Sequence, residues 1–273
     1  FNSSFVSGNM SNMAGVSFEA HEAFPGPVSA SAPRVSNGQV AINGSYILDP
    51  GLFLIDQEDG VIRPTGYYAA PGELVTITVP PSMVNQGIEI ISGSHQDEVL
   101  VSSLQRFKNI VKRVEITSTT TEIANPFGGA LYFRIPASVD LGWNTVTIDG
   151  AVKAPYFRMV SGQPQNVSEW VTDVNNNYVP WADIETDKWM FTVPTSIIGQ
   201  TDITDIMKKW DKMQDLASVV AGRPMERPRA EYIHTDCSGG NASYGYPKPI
   251  HVNGYNTDAP GVLWNPLLIF DED

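Results

Sequence analysis

A single cysteine, Cys237, stands in 273 residues, so no intrachain disulfide is available to hold this chain together. An unstapled chain of this size rests on its apolar core, and a hydrophobic content of 42% is ample for one. Positive charge is also scarce. Seventeen Lys and Arg face 30 Asp and Glu, for a net charge of -13. Phosphate binding needs clustered cations, whereas Lys208-Lys209 and Lys112-Arg113 are isolated pairs. Nucleic acid and anionic membranes are therefore not expected as partners. No apolar run reaches the length of about 18 residues needed for a spanning helix, so no membrane insertion is expected. A His-Glu-x-x-His motif is missing too. His21-Glu22 begins like one, but Pro25 stands where the second imidazole belongs. Without two histidines one helical turn apart there is no chelating pair, so no metal or other cofactor is expected in this chain. The first residues, Phe1-Asn2-Ser3-Ser4, include neither an initiator Met nor a basic stretch and read as an excised or processed piece.

What the sequence does have is β-structure and turns. Twenty Pro and 23 Gly punctuate runs rich in Val, Ile and Thr. Residues 1–34 are rich in Ser, Asn, Gly and Ala and read as a linker or loosely packed arm. From residue 38 the pattern turns β. Val40 to Leu48, with Asn43-Gly44 in the middle, carries the local signal of a hairpin, and so does Thr145 to Val152 around Asp149-Gly150. Leu74 to Val79 alternates, and Glu89–Ser92, Val111–Thr117 and Leu131–Ile135 are strand-length runs. These predict an antiparallel β-sandwich over 35–160.

Near residue 160 the texture changes, and 161–273 read as the start of a smaller α/β, catalytic-type domain. Lys188 to Pro194 predicts a buried strand. Ile203, Ile206, Met207, Trp210, Met213, Leu216, Ala217 and Val220 recur every three or four residues and predict one amphipathic helix over 202–220. Thr201 or Asp202 can cap its start, and Gly222 and Pro224 stop it. The expected fold class is thus mainly β: a sandwich, then an α/β segment with one clear helix.

Few residues carry chemistry. His95 lies in a polar run and reads as a surface turn residue. His234, Asp236, Cys237 and His251 hold metal-ligating atoms at no standard zinc spacing. Cys237 beside His234 invites a nucleophile reading, but no strand-to-turn elbow precedes it. No catalytic residue and no metal ligand is assigned. Aromatics are the better lead. Trp189 and Trp210 sit in periodic apolar patterns and belong to a core. Trp181 follows Pro180, and Trp264 lies among Gly261, Asn265 and Pro266. Loop tryptophans of this kind suit sugar rings, whose C–H faces pack on the indole.

Two runs carry a resemblance. Thr65-Gly66-Tyr67-Tyr68-Ala69-Ala70-Pro71-Gly72-Glu73 leads into the alternating strand, and Asn125-Pro126-Phe127-Gly128-Gly129 comes later. After them come Ala154-Pro155-Tyr156-Phe157, Glu169-Trp170, Val179-Pro180-Trp181-Ala182-Asp183-Ile184-Glu185 and Tyr244-Gly245-Tyr246-Pro247. In this order they resemble the front part of the enhancin-like, mucin-degrading zinc metallopeptidases, the group that includes accessory colonisation factor D. The resemblance implies a sandwich leading into a gluzincin-type catalytic domain, and a secreted or cell-surface, extracytoplasmic location. It implies zinc in a full-length member, activating water with a glutamate as general base. The family's zinc histidines and glutamates map onto no position here. What carries over is Tyr244 to Pro247, the segment lining the approach to the cleft.

The resemblance implies the non-catalytic front portion of such an enzyme, supplying sandwich and cleft scaffold. A stand-alone glycan- or protein-binding surface module is the alternative, and a structural or adhesin-like domain a third reading. The expected partner is a glycoprotein or mucin glycan, met by Trp181, Tyr244, Tyr246 and Trp264 as exposed aromatics.

Overall fold

The computed structural model describes residues 13–48, 60–95, 106–107, 109–198, 202–237, 246–251 and 266–267. Strands dominate. The first sheet, in spatial order, is β1 (Gly38–Tyr46), β8 (Val139–Asp149), β3 (Val75–Thr78) and β6 (Thr120–Ile123), all antiparallel. The second is β5 (Lys112–Glu115), β4 (Glu89–Ser92), β7 (Gly129–Ile135), β2 (Val61–Ala69) and β9 (Val152–Lys153), also antiparallel. Their facing sides enclose one core that includes Ile42, Val75, Ile77, Ile90, Leu131, Phe133, Val146 and Ile148. The third sheet is mixed: β11 (Gln163–Pro164), β10 (Tyr156–Val160), β12 (Trp181–Glu185), β13 (Trp189–Pro194), β14 (Glu231–Asp236) and β15 (Lys248–His251). Helices α1 (Val167–Asn176) and α2 (Thr204–Val220) cover one of its faces.

The sheets stack because the middle one is apolar on both sides. Side chains alternate along a strand with period two. In β7, Leu131, Phe133 and Ile135 enter the sandwich core, while Ala130 and Tyr132 point the other way. There they meet Ile62, Tyr68, Ile91 and Val152, and from the third sheet Trp181, Met190 and Tyr232. The third sheet is two-faced as well: Trp189, Phe191 and Val193 join Phe157, Trp170, Met207 and Trp210 under the helices. Each such side chain fully removed from water contributes roughly 1.5–3 kcal/mol. The predicted class, mainly β with a sandwich and an α/β segment, is what the structure shows.

Several local expectations are corrected. Asn43-Gly44 is not a turn. Gly38 to Tyr46 is one continuous strand paired with β8, and its register shifts between Asn43 and Ser45, so Asn-Gly makes a bulge. Asp149-Gly150 turns the chain, with Gly150 at φ +84°, but carries it from the first sheet to the second, since β9 pairs with β2. Tyr156–Val160 belongs to the third sheet rather than to the sandwich. Residues 13–34 are a packed strap rather than a loose arm. The Gly15 amide donates to the Gly72 carbonyl at 2.7 Å, the Ser29 amide to the Tyr178 carbonyl at 2.8 Å, and Arg34 pairs with Glu73. The strap explains a motif glycine, because a Cβ at Gly72 would lie 2.5 Å from the Val16 carbonyl oxygen.

The helix predicted over 202–220 is α2. Its N-cap is Ile203, with no side-chain cap bond, rather than Asp202; the Asp202 Oδ1 accepts from the Thr204 amide at 2.9 Å in an Asx turn just ahead of the helix. Ile203, Met207 and Trp210 are buried as expected, but Met213, Leu216 and Val220 are exposed, so the apolar face enters the core over its first half alone. Helix α1 was not anticipated. The Trp210 Nε1–H donates to the Pro266 carbonyl at 2.9 Å. Trp210→Phe keeps most of the apolar volume and deletes that donor, so urea melts should register a loss of about 1–2 kcal/mol. A larger loss would show that the indole fills space a phenyl ring cannot.

Candidate functional site

Strand β14 delivers His234, Thr235 and Asp236, all completely buried, to the end of the third sheet nearest the strap. Arg106 grips Asp236 in a two-pronged ion pair: Nε donates to Oδ1 at 2.8 Å and Nη2 to Oδ2 at 2.6 Å, with neither side chain exposed. Burial alone pushes the Asp236 carboxyl up. His234 and Arg106 outweigh it and hold the group well below the usual carboxylate range. Arg106 is the stronger partner in this geometry, since His234 Nε2 stands 3.8 Å from Oδ2.

His95 closes the cluster. It is 2% exposed rather than a surface turn residue, and its Nε2–H donates to the Thr235 carbonyl at 2.9 Å. Its ring lies edge-on to Trp181 at 4.5 Å and to Phe24 at 4.6 Å. Burial lowers its pKa to about 3, so it is neutral across the physiological range. Cys237 is no nucleophile in this setting. Burial, with Asp236 beside it, pushes the thiol up to about 12, and it stays protonated at neutral pH.

Of the four predicted aromatics, Trp181 and Tyr246 are among the described residues, and neither stands exposed. Trp181 opens β12 instead of sitting in a loop, and is 5% exposed. Its Nε1–H donates to the Pro25 carbonyl at 2.6 Å, because the strap lies directly over it. Tyr246 is half-buried. The Arg229 guanidinium lies 3.5 Å above its ring, and its hydroxyl accepts from the Ile62 amide on β2 at 3.2 Å. That ring ties Tyr246 to the middle sheet. Tyr244 and Trp264 lie outside the described residues.

Zinc does not fit the donors that are described. No group of three or more His, Cys, Asp or Glu is placed to hold a metal among the described residues. The donor set at β14 explains why: Asp236 is neutralised by Arg106, the His95 Nε2 proton is taken by a carbonyl, and Cys237 is a thiol.

A second polar group bridges the middle and third sheets. Asp183 on β12 is 4% exposed, and its Oδ1 accepts from the Tyr132 hydroxyl at 2.9 Å and from Thr192. The Tyr232 hydroxyl lies 2.9 Å from Thr192 Oγ1. Burial raises the Asp183 pKa to about 7 despite those two donors. Sequence reading found neither Asp183 nor Arg106. Asp183 had a signal, a carboxylate set between the apolar Ala182 and Ile184 in a strand; Arg106 had none.

The runs that carry the resemblance meet at the strap end of the sandwich. The Gly72 amide donates to the Asn125 carbonyl at 2.8 Å, and the Asn125 amide group donates to the Ile110 and Gly128 carbonyls at 2.9 and 2.8 Å. A Cβ at Gly129, where φ is +152°, would lie 2.5 Å from the Gly93 nitrogen. These motifs hold loops together.

Residues 36–149 match the model of the N-terminal domain of M60-like peptidases, and residues 150–261 that of peptidase M60, enhancin and enhancin-like. A TRPM8 channel-associated factor homolog from Danio rerio is 30% identical over 203 residues, 73% of this chain and 22% of the relative, so the chain spans about a fifth of that protein. The IMPa metallopeptidase from Pseudomonas aeruginosa shares the fold with a TM-score of 0.58 at 12% identity, over 83% of this chain and 29% of IMPa. A structure of IMPa in complex with an O-glycopeptide gives 0.58 at 13% identity, over 80% of this chain and 28% of that one. With two abutting family models running from 36 to 261, the chain belongs to the enhancin-like M60 peptidase family.

Proposed function

We propose that this chain is the front portion of a secreted zinc metallopeptidase acting on mucin-type glycoproteins, to which it contributes the sandwich and the wall of the cleft but no zinc ligand. The observation that carries the reading is the anchoring of Tyr246. In the family the Tyr244–Pro247 segment approaches the cleft, and here its ring is fixed between Arg229 and the β2 backbone. Supporting it, a structural neighbour of the same fold was captured with an O-glycopeptide. When zinc is bound in a whole family member, it supplies a Lewis acid that activates water. The part of the described residues is positioning: β14 and the Tyr246 segment are held against the middle sheet, so the cleft wall does not shift.

A second reading, a protein-binding surface module, is favoured by the Danio rerio relative, a TRPM8 channel-associated factor homolog. The coding sequence after Asp273 and a cleavage assay separate the two. The expected result is a His-Glu-x-x-His within about 60 residues, cleavage of an O-glycosylated mucin fragment by the longer polypeptide, and loss of that cleavage with chelator. Residues 1–273 alone should cleave nothing. A longer polypeptide without the motif, or one that leaves mucin intact, would favour the binding module.

A further inference from the structure

A groove of about 640 Å³ runs between the sandwich edge and the third sheet. Its walls come from β1, β2, β8, β10, the β12–β13 turn and the segment 225–230 ahead of β14. Two features set it apart from the rest of the molecule. The first is charge. On a chain with 17 basic and 30 acidic residues, the groove is lined by five cations, Arg63, Arg158, Lys188, Arg227 and Arg229. Only three carboxylates line it, Glu185, Asp187 and Glu226. Lys188 and Arg227 are held by Asp215 and Glu231, which are not in the lining, and Arg158 stands 3.9 Å from Glu185, which is. Arg63 has no carboxylate partner among the described residues: its Nη2 donates to the Ser45 carbonyl at 3.1 Å, and its Nε is buried without an acceptor. Arg227 Nε is likewise buried and unbonded. A guanidinium with no carboxylate beside it, as at Arg63, favours a bound anion.

The second feature is Trp143. It projects from β8 into the groove lining and is 59% exposed, the most exposed tryptophan among the described residues. The Arg158 guanidinium lies 4.9 Å from its ring centroid and steadies it. A large aromatic held open beside hydrogen-bonding charges suits a sugar, whose C–H face packs on the ring while polar groups take its substituents.

We infer that the groove between the sandwich edge and the third sheet binds an anionic sugar, its ring on Trp143 and its acidic group on Arg63 and the neighbouring arginines. Carboxylated and sulfated sugars share this chemistry. The inference goes beyond the scaffold reading and survives its failure, because its test uses the chain alone with no peptidase readout.

The experiment is a calorimetric titration of the intact 273-residue chain with 3′-sialyllactose, lactose 3′-sulfate and lactose. At least one acidic trisaccharide or sulfated disaccharide should bind in the micromolar to millimolar range, and lactose at least about tenfold more weakly. Preference between the two acidic probes identifies carboxylate or sulfate as the group read. Trp143→Ala should weaken the acidic probe at least about tenfold, and its exposed position spares the fold. Arg63→Gln should do the same and remove the preference over lactose. Arg113→Gln, at an arginine outside the groove, should change nothing. Absence of binding, equal binding of lactose, an unchanged Trp143→Ala protein, or tighter binding of a tetraglutamate peptide than of either acidic sugar would each overturn the inference.

Discussion

Arg106→Met should lower the unfolding free energy by about 3–5 kcal/mol, the largest single loss expected in this chain. The reason is what it leaves behind. Asp236 and Arg106 are both fully buried, and methionine offers its carboxylate no proton and no charge. The pair itself need not be strongly stabilising, because taking two charges out of water offsets most of their attraction. The double substitution Arg106→Met with Asp236→Leu should therefore recover most of the loss. Urea melts of both single variants and the double variant give the cycle. A double variant as unstable as Arg106→Met would show that the pair contributes something no apolar replacement supplies. The pH dependence has a definite sign. Asp236 has a depressed folded pKa against an ordinary value of 3.8, so its contribution is present above that value and lost as pH falls through lower values.

Asp183 should act in the opposite sense. Its folded pKa is raised from 3.8 to about 7, so the folded chain holds a proton that the unfolded chain releases. Stability from this group is then full below about pH 4 and is lost as pH rises towards 7. A shift of about three units corresponds to roughly 3–4 kcal/mol across that window. Asp211, partly exposed and raised to about 6 by burial, adds a weaker slope of the same sign. Asp183→Asn preserves the acceptor for Tyr132 and Thr192 and cannot ionise. It should flatten the fall between pH 4 and 7 and leave the variant more stable than the parent at pH 8. An undiminished fall would place the titrating group elsewhere.

Which parts of this were legible in the sequence follows from how far each interaction reaches along the chain. Apolar runs such as Leu131–Ile135 and Trp189–Val193 announced strands, because burial on both faces leaves few polar residues to interrupt them. Trp189 and Trp210 announced a core through spacing alone, and both are buried. Asn43-Gly44 misled because its local turn preference is overridden by β8, which pairs with β1 on both sides of the bulge. Helix α1 escaped because Val167, Val171, Thr172 and Val174 are β-branched; its signal was the spacing of Val167, Trp170, Val171 and Val174. Trp181 was misread because the strand it opens and the strap that covers it come from residues some 150 positions apart, Pro25 among them. The Arg106–Asp236 pair spans 130 positions, and no local rule joins them.

The two-faced middle sheet bears on how such proteins can be divided. The family models meet at 149/150, which marks where two sequence patterns recur, and folding need not respect that seam. Severed there, the front piece would turn Tyr68, Ala130 and Tyr132 outward as a wet, sticky wall, and would surrender Val152 with the rest of β9. The rear piece would bare Trp181, Met190 and Tyr232 in the same way. A cut at that seam would therefore expose apolar surface on both pieces, and the two halves are better handled as one unit.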